Sequence, residues 1–290
     1  MAAGLAAPER RLPIRVWRLS GVERVHLANG ETCILKYAEA PFAHEAQALT
    51  IAAARRIPVP TLRAASTGNG VLAMILDDLG RSIRPPHSAD AVAAAVRLHE
   101  GGPAPGLPTV SQSTLQTLPG QGLALVDHLH TVGRIADPEQ LRRPLTALAS
   151  NARRLAADAE RPPYGLCHGE LHPSAMHIGP AGWHLLDLAL AHTGPGLLDL
   201  ASWYGTREAP NQHSLERLIN GYIASGGDPA ANTDRGRVPA TVWALGWHRI
   251  ASAVWHLGQA VRDAARDRVD PADLRAAHRQ LATAAVLLVQ

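Results

Sequence analysis

The chain has 290 residues, 46% apolar and 18% charged, with a formal net charge of +3; that length allows one large domain or two intimate lobes, and that balance excludes a disordered chain. Its arginines are scattered rather than gathered into a stripe, so no nucleic-acid surface is expected, and no run approaches about 18 uninterrupted apolar residues, so neither a membrane span nor a secretion signal is expected. The two cysteines, Cys33 and Cys167, lie in apolar runs and read as reduced core thiols of a cytoplasmic protein.

Residues 12–80 read as strands with one helix. Val22–His26 and Thr32–Tyr37 flank Asn29-Gly30, a hairpin signal because both turn residues tolerate positive φ. Pro41–Arg56, rich in alanine with Glu45, Ala46 and Leu49 on successive turns, predicts a helix that Ile57-Pro58-Val59-Pro60 breaks. Val71–Leu76 is a short apolar strand, and Asp77-Asp78-Leu79-Gly80 ends it. From Ser88, a predicted N-cap for Ala89–His99, the chain turns helical. The Pro- and Gly-bearing stretch Gly101–Gly122 reads as a loop. Helices are expected over 121–132 and 138–159, a strand–loop–strand unit over 164–188, and helices over 214–226, 238–266 and 271–289. The pattern divides near residue 80 into a small β-rich part, 1–80, and a larger helical part, 81–290.

Lys36 is the only lysine in a chain whose 28 basic residues are otherwise all arginine. A compact ammonium on a flexible stem does what a planar guanidinium does not, and the apolar run Thr32-Cys33-Ile34-Leu35-Lys36-Tyr37 predicts that it is buried or faces a cleft. The densest cluster of polar chemistry is Leu166-Cys167-His168-Gly169-Glu170-Leu171-His172-Pro173-Ser174-Ala175-Met176-His177, followed by Asp187 in Trp183-His184-Leu185-Leu186-Asp187-Leu188. Two carboxylates on consecutive strand–loop turns are able to face one cleft opposite a lysine, the arrangement that phosphoryl transfer uses to orient a hydroxyl, hold a metal and neutralise phosphates. His172 and His177 read as hydrogen-bonding residues rather than metal ligands. Trp243, Trp247 and Trp255, with His248 and His256, recur at about one turn on one helix; such a stripe reads as core, with substrate stacking as the alternative for one of them.

His168–Met176 resembles the catalytic loop, His-Gly-Asp-Leu-His-Pro-Gly-Asn, of the aminoglycoside phosphotransferase and choline kinase-like family. Leu185-Leu186-Asp187 is similar to that family's metal-binding Ile-Asp-Trp segment. Gly194-Pro195-Gly196-Leu197-Leu198-Asp199-Leu200-Ala201 resembles its Gly-Asp-Pro-x-x-Asp-Leu-Ala run, and Arg97-Leu98-His99 the end of the helix after its hinge. The resemblance spans about residues 15–205. It implies an α+β, bilobal protein kinase-like fold, with a small β-rich nucleotide-binding N-lobe and a larger helical C-lobe that carries catalysis and substrate binding.

It also implies ATP and Mg²⁺ as cofactors. Lys36 would meet the phosphates, Glu45 would pair with Lys36, Leu76 and Asp77 would line the adenine site, and Ser20-Gly21 is the one candidate for a phosphate loop. Glu170 would orient the acceptor hydroxyl, Asp187 would hold the metal with Glu170 as a substitute ligand, and His168 and Asp199 would brace the loop. Glu170 stands where the family has Asp, and Ala175 where it has the Asn of the second metal. An extra methylene moves a carboxylate by about 1 Å, a displacement able to cost on the order of 10²-fold in rate. The expected activity is ATP-dependent phosphorylation of a hydroxyl on a small molecule, natural product or biosynthetic peptide, in antibiotic resistance or biosynthesis. The alternative is a pseudokinase that keeps the fold and serves as a binding or scaffold module.

Overall fold

A computed structural model describes residues 4–17, 19–266 and 271–289. Strands β1 (Pro8–Val16), β2 (Ser20–Leu27), β3 (Thr32–Glu39), β4 (Leu62–Gly68) and β5 (Val71–Asp77) form one antiparallel sheet in the spatial order β1-β2-β3-β5-β4. The β2–β3 hairpin closes on Asn29-Gly30 as predicted: Gly30 takes φ +84°, and its N–H donates to the Leu27 carbonyl at 2.9 Å. Register sets Lys36 opposite Val22 on one side and Met74 on the other. Lys36 is therefore on an inner strand, where its side chain has nowhere to go but the cleft below the sheet.

Helix α1 (Glu45–Ala54) links β3 to β4, buries Ala48, Leu49 and Ala52, and begins four residues later than the expected Pro41. Its first residue, Glu45, is buried at 1% exposure and points back toward β3.

The rest of the chain is helical: α2 (Ser88–His99), α3 (Gln112–Thr131), α4 (Glu139–Leu155), α5 (Gly196–Ser202), α6 (Gln212–Ala224), α7 (Ala240–Ala264) and α8 (Pro271–Val289). Two short ribbons interrupt it, β6 (Tyr164–Cys167) paired with β9 (His192–Pro195), and β7 (Met176–Gly179) paired with β8 (Gly182–Leu185). Two sequence expectations are corrected here. The N-cap of α2 is His87, not Ser88, and the Asp90 carboxylate accepts the His87 N–H at 2.8 Å. The expected loop Gly101–Gly122 gives way to helix at Gln112, and α3 runs through Pro119, Gly120 and Gly122.

The α3 correction has a packing cause. Leu115, Pro119, Gly122, Val126 and Leu129 form one buried stripe. A Cβ at Gly122 would stand 2.7 Å from the Leu145 side chain of α4, so the glycine permits the helices to approach rather than ending one. Tertiary packing overrides the local helix-breaking signal. Trp243 and Trp247 are fully buried, and both indole N–H groups donate to the Leu155 carbonyl, at 2.8 and 3.1 Å, pinning α7 to the end of α4. No helix among the described residues is long and apolar enough to cross a membrane.

Candidate active site

Lys36, Glu45 and Asp187, 151 residues apart at the extremes, meet at one point. Lys36 Nζ donates to Glu45 Oε1 at 2.7 Å and to Asp187 Oδ1 at 2.6 Å. Burial works against the Lys36 ammonium, but the Glu45 and Asp187 carboxylates outweigh it, and its pKa rises above the ordinary value. Burial also pushes the Asp187 carboxyl up; Lys36 and Arg15 overcome it and hold Asp187 below the usual carboxylate range. Asp187 is charged at neutral pH and so is its lysine partner. Glu45, deeper still, is raised by burial despite the ammonium beside it.

Asp187 follows β8 in the left-handed region, φ +61° and ψ +54°, a conformation that short polar side chains tolerate best and that puts the carboxylate across the cleft from β3. The loop that carries Glu170 is fixed from beneath. The Asp199 carboxylate accepts the N–H groups of His168 and Gly169 at 2.7 and 2.9 Å. His168 is buried, and burial lowers its pKa, so the ring is neutral. Its Nε2 lies 2.8 Å from the Leu186 carbonyl and therefore carries the proton, leaving Nδ1 to accept the Glu170 N–H at 3.3 Å. Gly169 has φ +87°, and a Cβ there would lie 2.3 Å from the Leu190 carbonyl oxygen. The amides of residues 168–170 are thus all engaged, while Glu170 itself is an exposed residue whose carboxylate makes no side-chain bond among the described residues. The protein packed around it and the Asp187 carboxylate raise its pKa.

Two cavities meet at this cluster, and Arg15, Lys36, Ser174 and Asp187 line both. One, of about 320 Å³, runs beneath the sheet past Val22, Ile34, Leu76, Asp77 and His177. The other, of about 360 Å³, opens toward Glu170, Trp17, Phe42 and Trp255. A wider hollow of about 630 Å³ between Gln112 and Arg161 is shallow and holds none of these groups, so it is set aside.

In the first cavity the carboxylates at the end of β5 are already occupied. Asp77 accepts Arg63 Nε at 2.5 Å, and Asp78 accepts Arg24 Nε and Nη2 at 2.6 and 3.0 Å. In the second, Phe42 and Trp255 pack with ring centroids 5.6 Å apart, and His256 Nδ1 lies 2.8 Å from Asp273 Oδ1. Trp255 thus faces a cavity, whereas Trp243 and Trp247 of the same stripe are core.

The structure brings Lys36, Glu45, Asp187 and Glu170 to one cleft, with Leu76 and Asp77 on its sheet side. Ser20 lines the second cavity, and Gly21 lines neither. Gly21 is instead pressed under the Tyr37 ring, where a Cβ would come within 2.3 Å of the ring. Arg15 was not legible in the sequence: its Nη2 donates to Asp187 Oδ2 at 3.0 Å, yet no motif distinguishes it from the other arginines. The donor set suits a hard divalent cation. Asp187 and Glu170 present carboxylate oxygens to the same cavity, and the like charge of Asp187 pushes Glu170 up, which a cation between them would relieve.

The family model described as the phosphotransferase enzyme family matches residues 22–237. No curated protein matches the chain. Among solved structures, a choline/ethanolamine kinase family protein from Mesorhizobium loti superposes with TM-score 0.65 at 19% identity, covering 99% of this chain and 90% of that one. Macrolide 2'-phosphotransferase MphH from Brachybacterium faecium gives 0.61 at 19% identity, covering 96% and 94%. An aminoglycoside phosphotransferase from Alicyclobacillus acidocaldarius gives 0.53 at 15% identity, covering 97% and 92%. The architecture described above is the bilobal, protein kinase-like one that these relatives share.

Proposed function

The chain belongs to the phosphotransferase enzyme family, and from that premise we propose that it transfers the γ-phosphoryl group of ATP to a hydroxyl of a small molecule or peptide. The observation that carries this reading is the convergence of Lys36, Glu45 and Asp187 where two cavities join. Residues 1–80 then form the nucleotide lobe and 81–290 the acceptor lobe. The first cavity takes the nucleotide, with its base among Val22, Ile34, Leu76 and His177; because the Asp77 and Asp78 carboxylates are tied to arginines, the base is met there by backbone groups.

Lys36, kept charged and aimed by Glu45, neutralises the phosphates from the sheet side. Asp187 and Glu170 are the residues that would hold magnesium, which supplies positive charge at the phosphate oxygens when bound. The acceptor enters the second cavity, whose volume of about 360 Å³ falls in the usual range for small ligands. The walls at Trp17, Phe42 and Trp255 suit an apolar ring face; with magnesium held by Asp187, the Glu170 carboxylate, which lines this cavity, accepts the acceptor's proton, and its alternative role is that of a substitute metal ligand.

The test is turnover of labelled ATP with Mg²⁺ against a panel of hydroxyl compounds, comparing wild type with Lys36→Ala and Asp187→Asn. Turnover in the wild type alone supports the roles, and equal turnover in all three removes them. One observation favours a second reading, a pseudokinase: Ala175 is buried at 1% exposure with a methyl group where the family's second metal ligand belongs. That reading predicts stabilisation by saturating nucleotide, roughly 2.7 kcal/mol at a hundredfold over Kd, with no phosphorylated product from any acceptor.

A further inference from the structure

Phosphoryl transfer spreads negative charge over the oxygens of the moving group, and the cations that meet it set much of the rate. In this cleft the side chain at 175 supplies no metal ligand. Backbone cradling of the phosphates is also curtailed, because Gly21, the one glycine next to the β1–β2 connection, is locked under Tyr37. We propose that Arg15 supplies the missing charge, as a guanidinium delivered from β1 to the γ-phosphate. The inference rests on the phosphotransferase reading above and concerns one residue of that site.

Arg15 is placed by a local irregularity. Neighbouring strand residues face opposite ways, yet Ile14 and Arg15 both line the nucleotide cavity. The β1–β2 register slips between Pro13 and Arg15, and such a bulge re-aims a side chain that simple alternation would turn away. The guanidinium then lies over the Trp17 ring, 4.8 Å from its centroid, which props it across the cleft. It reaches Asp187 Oδ2 at 3.0 Å, and among the described residues it is one of four shared by the two cavities, the junction through which a transferred group must pass.

The contact with Asp187 is a resting one. Arg15 would leave Oδ2 when Asp187 holds a cation, and its freed donors would then turn toward the phosphate. A side chain 42% exposed has room for that turn. A guanidinium suits the task because its planar fork makes two parallel bonds to a phosphate and stays charged. Lys36 and Arg15 oppose Glu45, Asp187 and Glu170; without Arg15 the lysine is the one basic side chain of this cluster among the described residues.

The test is calorimetric titration of the full chain with Mg²⁺ and either ADP or a non-hydrolysable ATP analogue, for wild type, Arg15→Ala and Arg15→Lys. Arg15→Ala is expected to lose about tenfold or more in affinity for the analogue while ADP affinity stays within about twofold or improves, with Arg15→Lys between the two. Equal changes for both nucleotides would mean that Arg15 only latches Asp187, and no change would mean that it does nothing at the phosphate; either overturns the proposal. Absence of nucleotide binding by the wild type would overturn the phosphotransferase reading along with it.

Discussion

Replacing Lys36 with methionine keeps the length of the stem and removes the ammonium, and the structure sets the outcome. Glu45 is 1% exposed, and Lys36 is the cation that compensates it. Breaking a buried pair by removing one partner costs about 3–5 kcal/mol, because a charge is left desolvated. Asp187 loses the same ammonium but retains Arg15 and is a third exposed, so it adds little to that figure.

The cost should depend on pH with a defined sign. Without Lys36, Glu45 rises further above its ordinary value of 4.5, and the Asp187 carboxyl rises too. A carboxyl whose folded pKa is raised holds a proton that the unfolded chain has already lost. Its contribution is therefore intact below the unfolded value and is lost as pH climbs through the folded one. Urea denaturation at pH 5.5 and pH 8 should show the larger deficit at pH 8, and adding Glu45→Gln should recover about 2 kcal/mol. A deficit below about 1 kcal/mol, one independent of pH, or a second loss on adding Glu45→Gln would refute the account of a compensated buried carboxylate.

Glu170→Gln should reduce kcat by about 10²–10⁴ while shifting stability by less than about 0.5 kcal/mol. In wild type, kcat/KM should fall on the acid side through a Glu170 pKa above the ordinary 4.5, and that limb should vanish in the variant's pH–rate profile. Gly169→Ala forces a Cβ to within 2.3 Å of the Leu190 carbonyl at φ +87°; thermal unfolding should show a loss of about 1–3 kcal/mol, and an unchanged melting temperature would contradict the loop geometry. Trp255→Ala should raise the acceptor KM severalfold and leave the KM for ATP within about twofold, because it lines the second cavity and not the first.

What the sequence disclosed and what it hid divide along physical lines. Lys36 stood out because a lone ammonium among arginines has a chemistry of its own, Asp187 because it and Glu170 fall on consecutive strand–loop turns able to face one cleft, and Glu45 only through the family resemblance. The β2–β3 hairpin was legible because Asn29-Gly30 carries its turn geometry locally. Of α3 the part from residue 121 onward was legible, but its first half, 112–120, was hidden because Pro119, Gly120 and Gly122 are local breakers, and the space that Gly122 leaves for Leu145 is set by another helix. Arg15 was hidden for a comparable reason: its orientation depends on a register slip against β2, which leaves no mark in composition or alternation. Trp255 could not be separated from Trp243 and Trp247 by spacing, since the distinction lies in what packs against each face of α7.

The two departures in the catalytic loop are of different kinds. At position 175 the side chain has lost its ligand, but the backbone keeps its place: the Ala175 carbonyl accepts the Leu186 N–H at 2.8 Å, tying this loop to the residue before Asp187. The substitution therefore removes a side-chain metal ligand without moving Asp187. At position 170 the loop cannot shift to absorb the longer side chain, since Asp199 and His168 hold its amides. The extra methylene has to be taken up by rotation of Glu170 itself, and its exposed carboxylate has the freedom to do so. A site degraded by drift would be expected to lose its supports along with its ligands. Here the loop supports, the lysine pair and the left-handed turn at Asp187 all persist, and an arginine from a bulged strand stands where positive charge is short. That combination is the one expected of a cleft adapted to a single metal ion and a guanidinium, and it is the physical ground for preferring an active phosphotransferase to a scaffold.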